Sequence, residues 1–169
     1  MKLEKLFQVL SIILRPILYL LAFIMLPFLL MNLLNPTLLL GVFIFICVII
    51  YITKSTQFYR HAVIPGKPVK ARTKDWIKVN AFVTALFVLE ILYSGIIFFF
   101  KKEVLLAELQ TMLNMIQDAQ GAGAVPMTAE SVYRSLKAFM IFFLVIDVLL
   151  ATHIICSFKL LKKYKSLFI

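Results

Sequence analysis

The chain is 169 residues long, 63% hydrophobic and only 15% charged, with a mean hydropathy of +1.00. A soluble domain of this length hides roughly 70% of the surface its unfolded chain exposes, too little for so much apolar side chain, so a water-soluble globular fold is excluded and lipid is the expected solvent. The 18 Lys and Arg against 8 Asp and Glu give a net charge of +10; in a membrane chain such an excess belongs to topology, and nucleic acid is not an expected partner.

At the N-terminus, Leu3, Leu6, Phe7, Leu10, Ile13 and Leu14 recur at helical spacing while Lys2, Glu4, Lys5, Gln8 and Ser11 fall elsewhere. This pattern predicts an interfacial helix over 2–15, with Arg15 at a bend into the bilayer. An apolar stretch over 16–34 follows, long enough to cross about 30 Å of hydrocarbon. It lacks a small-residue cleavage pattern and is too long for a secretory signal, so a retained first span is expected. Asn32, Asn35 and Pro36 mark a turn, and a second span runs over 37–53.

A basic loop is expected over 54–78, with Ile64-Pro65-Gly66-Lys67-Pro68 holding its middle out of helix. Spans three and four follow at 79–100 and 138–158. Between them, over 101–137, Leu105, Leu109, Met112, Leu113 and Ile116 form an apolar stripe. An outer amphipathic hairpin is expected, broken at Gly121, Gly123 and Pro126 and resumed near Thr128, with Glu130 in the first turn. The stripe has three possible covers: the outer leaflet, the bundle itself or a partner. The fold class is therefore an all-α integral membrane protein, one transmembrane domain of four helices with an N-terminal interfacial helix and an outer helical hairpin.

With four spans, both termini and the central loop share one side, and that side carries fourteen of the eighteen Lys and Arg. The positive-inside rule predicts that it is cytoplasmic, with Trp76, Tyr51 and Tyr164 as interfacial aromatics. The absence of a lipidation or retention motif points to a bacterial inner (plasma) membrane. Lys67, Lys70, Arg72 and Lys74 are candidate contacts for anionic headgroups, each contributing about 1 kcal/mol near such a surface.

Chemistry-bearing residues are sparse. The two cysteines, Cys47 and Cys156, lack Cys-x-x-Cys spacing and are expected as small apolar fillers. No Gly-rich phosphate loop or nucleophile elbow is present, so no catalytic residue, metal ligand or cofactor is expected and the chain does not read as an enzyme. The sharpest signal is Glu90 and Asp147, each midway along its span, where a carboxyl is costly unless it faces protein, water or a partner charge. On a helical wheel Glu90, Asn80, Thr84 and Ser94 share about a third of span three, and Asp147, His153 and Ser157 a similar arc of span four.

Two functions follow from that seam. In one, the acids are interhelical glue and the chain is an interaction or accessory subunit that meets another membrane protein or a second copy. In the other, Glu90 and Asp147 titrate as a pair with His153 as relay, in a small proton- or cation-coupled transporter or channel component.

Overall fold

A computed structural model describes residues 2–31, 36–120 and 128–169. Five α-helices follow one another: α1 (Lys2–Met31), α2 (Pro36–Phe58), α3 (Ala71–Phe100), α4 (Lys102–Gln120) and α5 (Ala129–Lys163), with a π-helical turn at Tyr59–Val63 and a short 3-10 turn at Lys165–Leu167. Four of the segments are long and apolar enough to cross a membrane: Lys2–Ile24, Leu39–Val63, Ala71–Phe100 and Ala129–Lys163. Large apolar side chains stand exposed along them, such as Phe23 at 75% and Phe100 at 85%. That is how helices whose outer faces meet lipid are built.

By contact density the chain divides into two units, Met1–Val88 with Val148–Ile169, and Leu89–Asp147. In the first unit, Phe7 and Leu10 of α1, Tyr59 of the π-turn, and Cys156 and Leu160 of α5 form one buried cluster. Along α2 the buried positions Cys47, Val48, Tyr51, Ile52, Ser55, Thr56 and Phe58, continued by Tyr59 and Ala62 of the π-turn, keep the i, i+3, i+4 rhythm that presents one face to neighbours. Both cysteines are free and buried.

Three details differ from the sequence expectation. Helix α1 passes Pro16 and Pro27 without interruption, so residues 2–15 belong to the same helix as the first span. Its buried stripe is Phe7, Leu10, Ser11 and Leu14, while Leu6 and Ile13 are exposed. The basic segment 54–78 is mostly helical, because α2 continues to Phe58 and α3 begins at Ala71. Long Lys and Arg side chains on such extensions keep their heads in water while their stems lie along apolar surface.

Only residues 64–70 leave the helices between α2 and α3. The π-turn closes with amide bonds from Ile64 to the Tyr59 carbonyl (3.0 Å) and from Lys67 to the Ala62 carbonyl (3.1 Å). Gly66 then takes a φ of 64°, a left-handed conformation that ends helices and that a side chain resists. The C-terminal residues fasten this crossing: the Val69 amide donates to the Leu167 carbonyl (2.8 Å) and the Ile169 amide to the Val69 carbonyl (3.1 Å), with Phe168 stacked on Phe58 at 5.0 Å.

In the second unit, α3 and α5 approach closely at Gly95, where an added Cβ would lie 2.9 Å from a Leu144 methyl carbon. Phe98 stacks on Tyr133 at 5.1 Å, and Lys102 lies over the same Tyr133 ring while pairing with Glu130 at 3.4 Å. As expected, α5 starts beside Thr128, whose hydroxyl accepts from the Ser131 amide at 3.3 Å. On α4, Leu105, Leu109 and Leu113 are partly covered, whereas Met112 and Ile116 are exposed. The expected break at Gly121, Gly123 and Pro126 lies outside the described residues.

Candidate functional site

The polar positions singled out in spans three and four do not form one seam. Asn80, Thr84, Asp147 and His153 are buried, but Glu90 and Ser94 are exposed. The buried positions of α3 are Ile77, Asn80, Ala81, Thr84, Val88 and Gly95; on a wheel of 100° per residue, Glu90 lies roughly 130° from their centre. Asn80 and Thr84 turn inward and bond to their own helix, the Asn80 amide to the Trp76 carbonyl (2.8 Å) and the Thr84 hydroxyl to the Asn80 carbonyl (2.7 Å). Ser94 lines a cavity of about 410 Å³ with Lys101, Glu108 and Met140 among its walls.

Asp147 sits on the buried stripe of α5 with Leu150, Ile154, Ser157 and Leu161, and neither of its carboxyl oxygens has a hydrogen-bond partner. The expected proton-sharing pair of Glu90 and Asp147 is therefore absent: one acid faces outward and the other has no polar neighbour in bonding range.

His153 takes a different part from a relay to those acids. It is fully buried; its Nδ1 lies 2.8 Å from the Tyr51 hydroxyl and its Nε2 3.0 Å from Ser11 Oγ. Counting hydrogens fixes the donors. The Ser11 hydroxyl donates its one proton to the Phe7 carbonyl at 2.8 Å, so it accepts from Nε2–H, and Nδ1 accepts from Tyr51. A neutral imidazole satisfies the whole chain. Three helices, α1, α2 and α5, are thus joined by one buried polar line. Tyr51, expected at the membrane surface, is wholly buried, because its hydroxyl has found this partner.

Serine 11 and Tyr51 were not visible in the sequence as partners of His153. A serine at an otherwise apolar helical position can return its proton to the carbonyl one turn back, which leaves its oxygen free as a buried acceptor. That behaviour was the only available signal.

Toward the ends of α2 and α3 the basic residues gather around two cavities. One, of about 600 Å³, has Lys54, His61, Lys70, Arg72 and Trp76 among its walls. The other, of about 340 Å³, has Arg15 and Arg60. The π-turn serves both: a π-helix carries more residues per turn than an α-helix, and consecutive residues Arg60 and His61 here line different cavities. Lys67 is exposed outside them, and the Lys74 ammonium lies over the Phe168 ring at 5.7 Å.

Among the described residues, no three His, Cys, Asp or Glu side chains gather in a metal-binding group. No protein-family model, curated protein or solved structure matches the chain.

Proposed function

We propose that the protein is an interaction or accessory subunit of a membrane, docking on another membrane protein or on a second copy through the second half of α3. Exposed Glu90 carries this reading. It stands midway along an apolar span, beside Leu89 and Tyr93, which are 62% and 65% exposed, with Ile96 and Phe100 continuing the same face. A carboxyl turned to hydrocarbon costs about 3 kcal/mol on insertion scales, and a partner helix that offers a hydrogen bond removes that cost. The remaining topology follows the charge: both ends and residues 54–78 lie at the cytoplasmic face of a bacterial inner membrane, with Lys67, Lys70, Arg72 and Lys74 toward anionic headgroups.

The test is site-specific photocrosslinking in membranes from Leu89, Tyr93 and, as control, Phe23 on α1. Discrete protein adducts are expected from the first two positions, kept in Glu90→Gln and lost in Glu90→Leu. Lipid adducts alone at all three positions would defeat the reading.

The second reading, a small proton- or cation-coupled transporter or channel component, is favoured by one observation, the buried and unpartnered carboxyl of Asp147. It requires ion-dependent flux from proteoliposomes that Asp147→Asn and Glu90→Gln abolish.

A further inference from the structure

The cavity that holds Arg15 and Arg60 has the features of a built anion site. Its cations come from two helical segments, Arg15 from α1 and Arg60 from the π-turn after α2, and no carboxylate is among its walls. Arg15 is partly covered, its guanidinium lies 5.9 Å from the centre of the Tyr19 ring, and its Nε is buried without a hydrogen-bond partner. A guanidinium set against an aromatic ring is oriented for the two-pronged bond that a phosphate accepts. The Tyr19 hydroxyl is fixed in turn by Thr53 at 3.0 Å, so the ring under Arg15 is itself positioned.

Depth selects the kind of phosphate. The Tyr19–Thr53 bond marks the level at which the apolar run of α2 gives way to Lys54. Arg15 lies four residues before Tyr19 and Arg60 seven after Thr53, so both stand roughly 6–10 Å beyond that level on the basic side, at headgroup depth. Ile12, Pro16 and Ile64 are exposed at the cavity, an apolar border suited to the glycerol and first methylenes of a lipid. At about 340 Å³ the volume falls within the range of small-ligand sites, about 300–1,000 Å³.

We propose that this cavity binds the headgroup phosphate of one anionic phospholipid per chain, gripped by Arg15 and Arg60. Lys67 and Lys70, exposed, and Lys74, partly covered, offer diffuse attraction; the arginine cavity is a site with one occupant. The proposal stands independently of the docking surface on α3.

The experiment uses the full chain purified in a neutral detergent, titrated with phosphatidylglycerol and separately with phosphatidylcholine, with bound lipid counted by native mass spectrometry. One phosphatidylglycerol per chain is expected, bound about tenfold or more tighter than phosphatidylcholine, because both lipids carry the phosphodiester but the choline cation of the second is repelled by the two guanidinium groups. Arg60→Gln, at an exposed position that leaves packing intact, and Arg15→Gln each weaken binding by a similar factor. Arg15→Lys falls between them and wild type, because it keeps the charge and loses the fork. Lys74→Gln leaves the retained lipid in place. Equal affinity for both lipids, unchanged binding in Arg60→Gln, or an equal loss in Lys74→Gln would overturn the site; displacement of the lipid by millimolar inorganic phosphate would overturn the lipid as its source.

Discussion

The two units treat buried and mid-span polar groups in opposite ways. In the first, apart from the Arg15 Nε, the buried polar side chains answer one another or their own helices: His153 with Tyr51 and Ser11, Ser55 and Thr56 with the Ile52 carbonyl, Thr84 with Asn80. In the second, Asp147 is buried with no partner and Glu90 stands exposed among apolar side chains. Satisfied groups fasten helices; unsatisfied ones cost free energy that nothing within the chain returns. The difference locates the polar fastening of helices in the first unit and the carboxyls that nothing within the chain answers, hence the helix-docking face, in the second.

The largest way to break this contrast is at its best-satisfied residue. Two interhelical hydrogen bonds contribute about 1 kcal/mol together by membrane-protein values. His153→Ala is nonetheless expected to cost about 2–4 kcal/mol, because it opens a cavity and strands the Tyr51 and Ser11 groups in the interior. Denaturation of the purified chain in detergent micelles measures it. A loss below about 1 kcal/mol would mean that the polar line is not what fastens α1, α2 and α5.

In the second unit the comparable fastening is steric. Gly95→Leu drives side-chain atoms into Leu144 and is expected to cost about 1–3 kcal/mol, whereas Gly95→Ala costs less, because the nearest atom is a terminal methyl that can rotate aside. The same melts report both. A neutral Gly95→Leu would show that α3 and α5 do not meet there.

How much of this was readable in advance depends on the kind of signal. The four spans were legible because length and apolarity alone decide them, and the start of α5 because Thr128 and Glu130 carry local capping chemistry. Bounds at the basic end were not. Lys54 to Phe58 and Ala71 to Lys78 look like loop by charge, yet they extend helices, since charge at a span's end does not prevent helix when side chains can reach water. The candidate seam failed for a geometric reason: four polar residues within a third of a wheel share a side of α3, but the packed stripe lies at one edge of that arc, so Asn80 and Thr84 enter and Glu90 does not. His153 was visible as a polar residue within span four, on the arc of Asp147 and Ser157. Its partners sit 142 and 102 residues away in the chain, a separation that no local pattern encodes.

A smaller effect, of opposite sign, sharpens the contrast. Asp147→Leu replaces a partnerless carboxyl on a buried stripe with an apolar side chain, and the isolated chain is expected to gain about 1 kcal/mol as the desolvation penalty disappears. If the variant instead melts earlier, Asp147 has a partner in the purified assembly. In a cell the sign can reverse, with stability rising while the complex is lost, and co-purification beside the melt separates the two effects.

The smallest effect lies at the edge of the first unit. The Glu4 carboxylate accepts from the Lys163 ammonium and from the Tyr164 hydroxyl at 2.9 Å, joining the first turn of α1 to the end of α5. Lys163 is about half exposed, and pairs of that kind contribute little because water and salt screen them. Glu4→Gln is therefore expected to lower the melting temperature less than any change above, with the difference fading at high salt. His153→Ala should keep its full effect there, since a hydrogen-bonded line between neutral groups has no charge to screen. Should Glu4→Gln match His153→Ala and ignore salt, the first unit would be held at its rim, and the buried line from Ser11 to Tyr51 would be a consequence of helix placement instead of its cause.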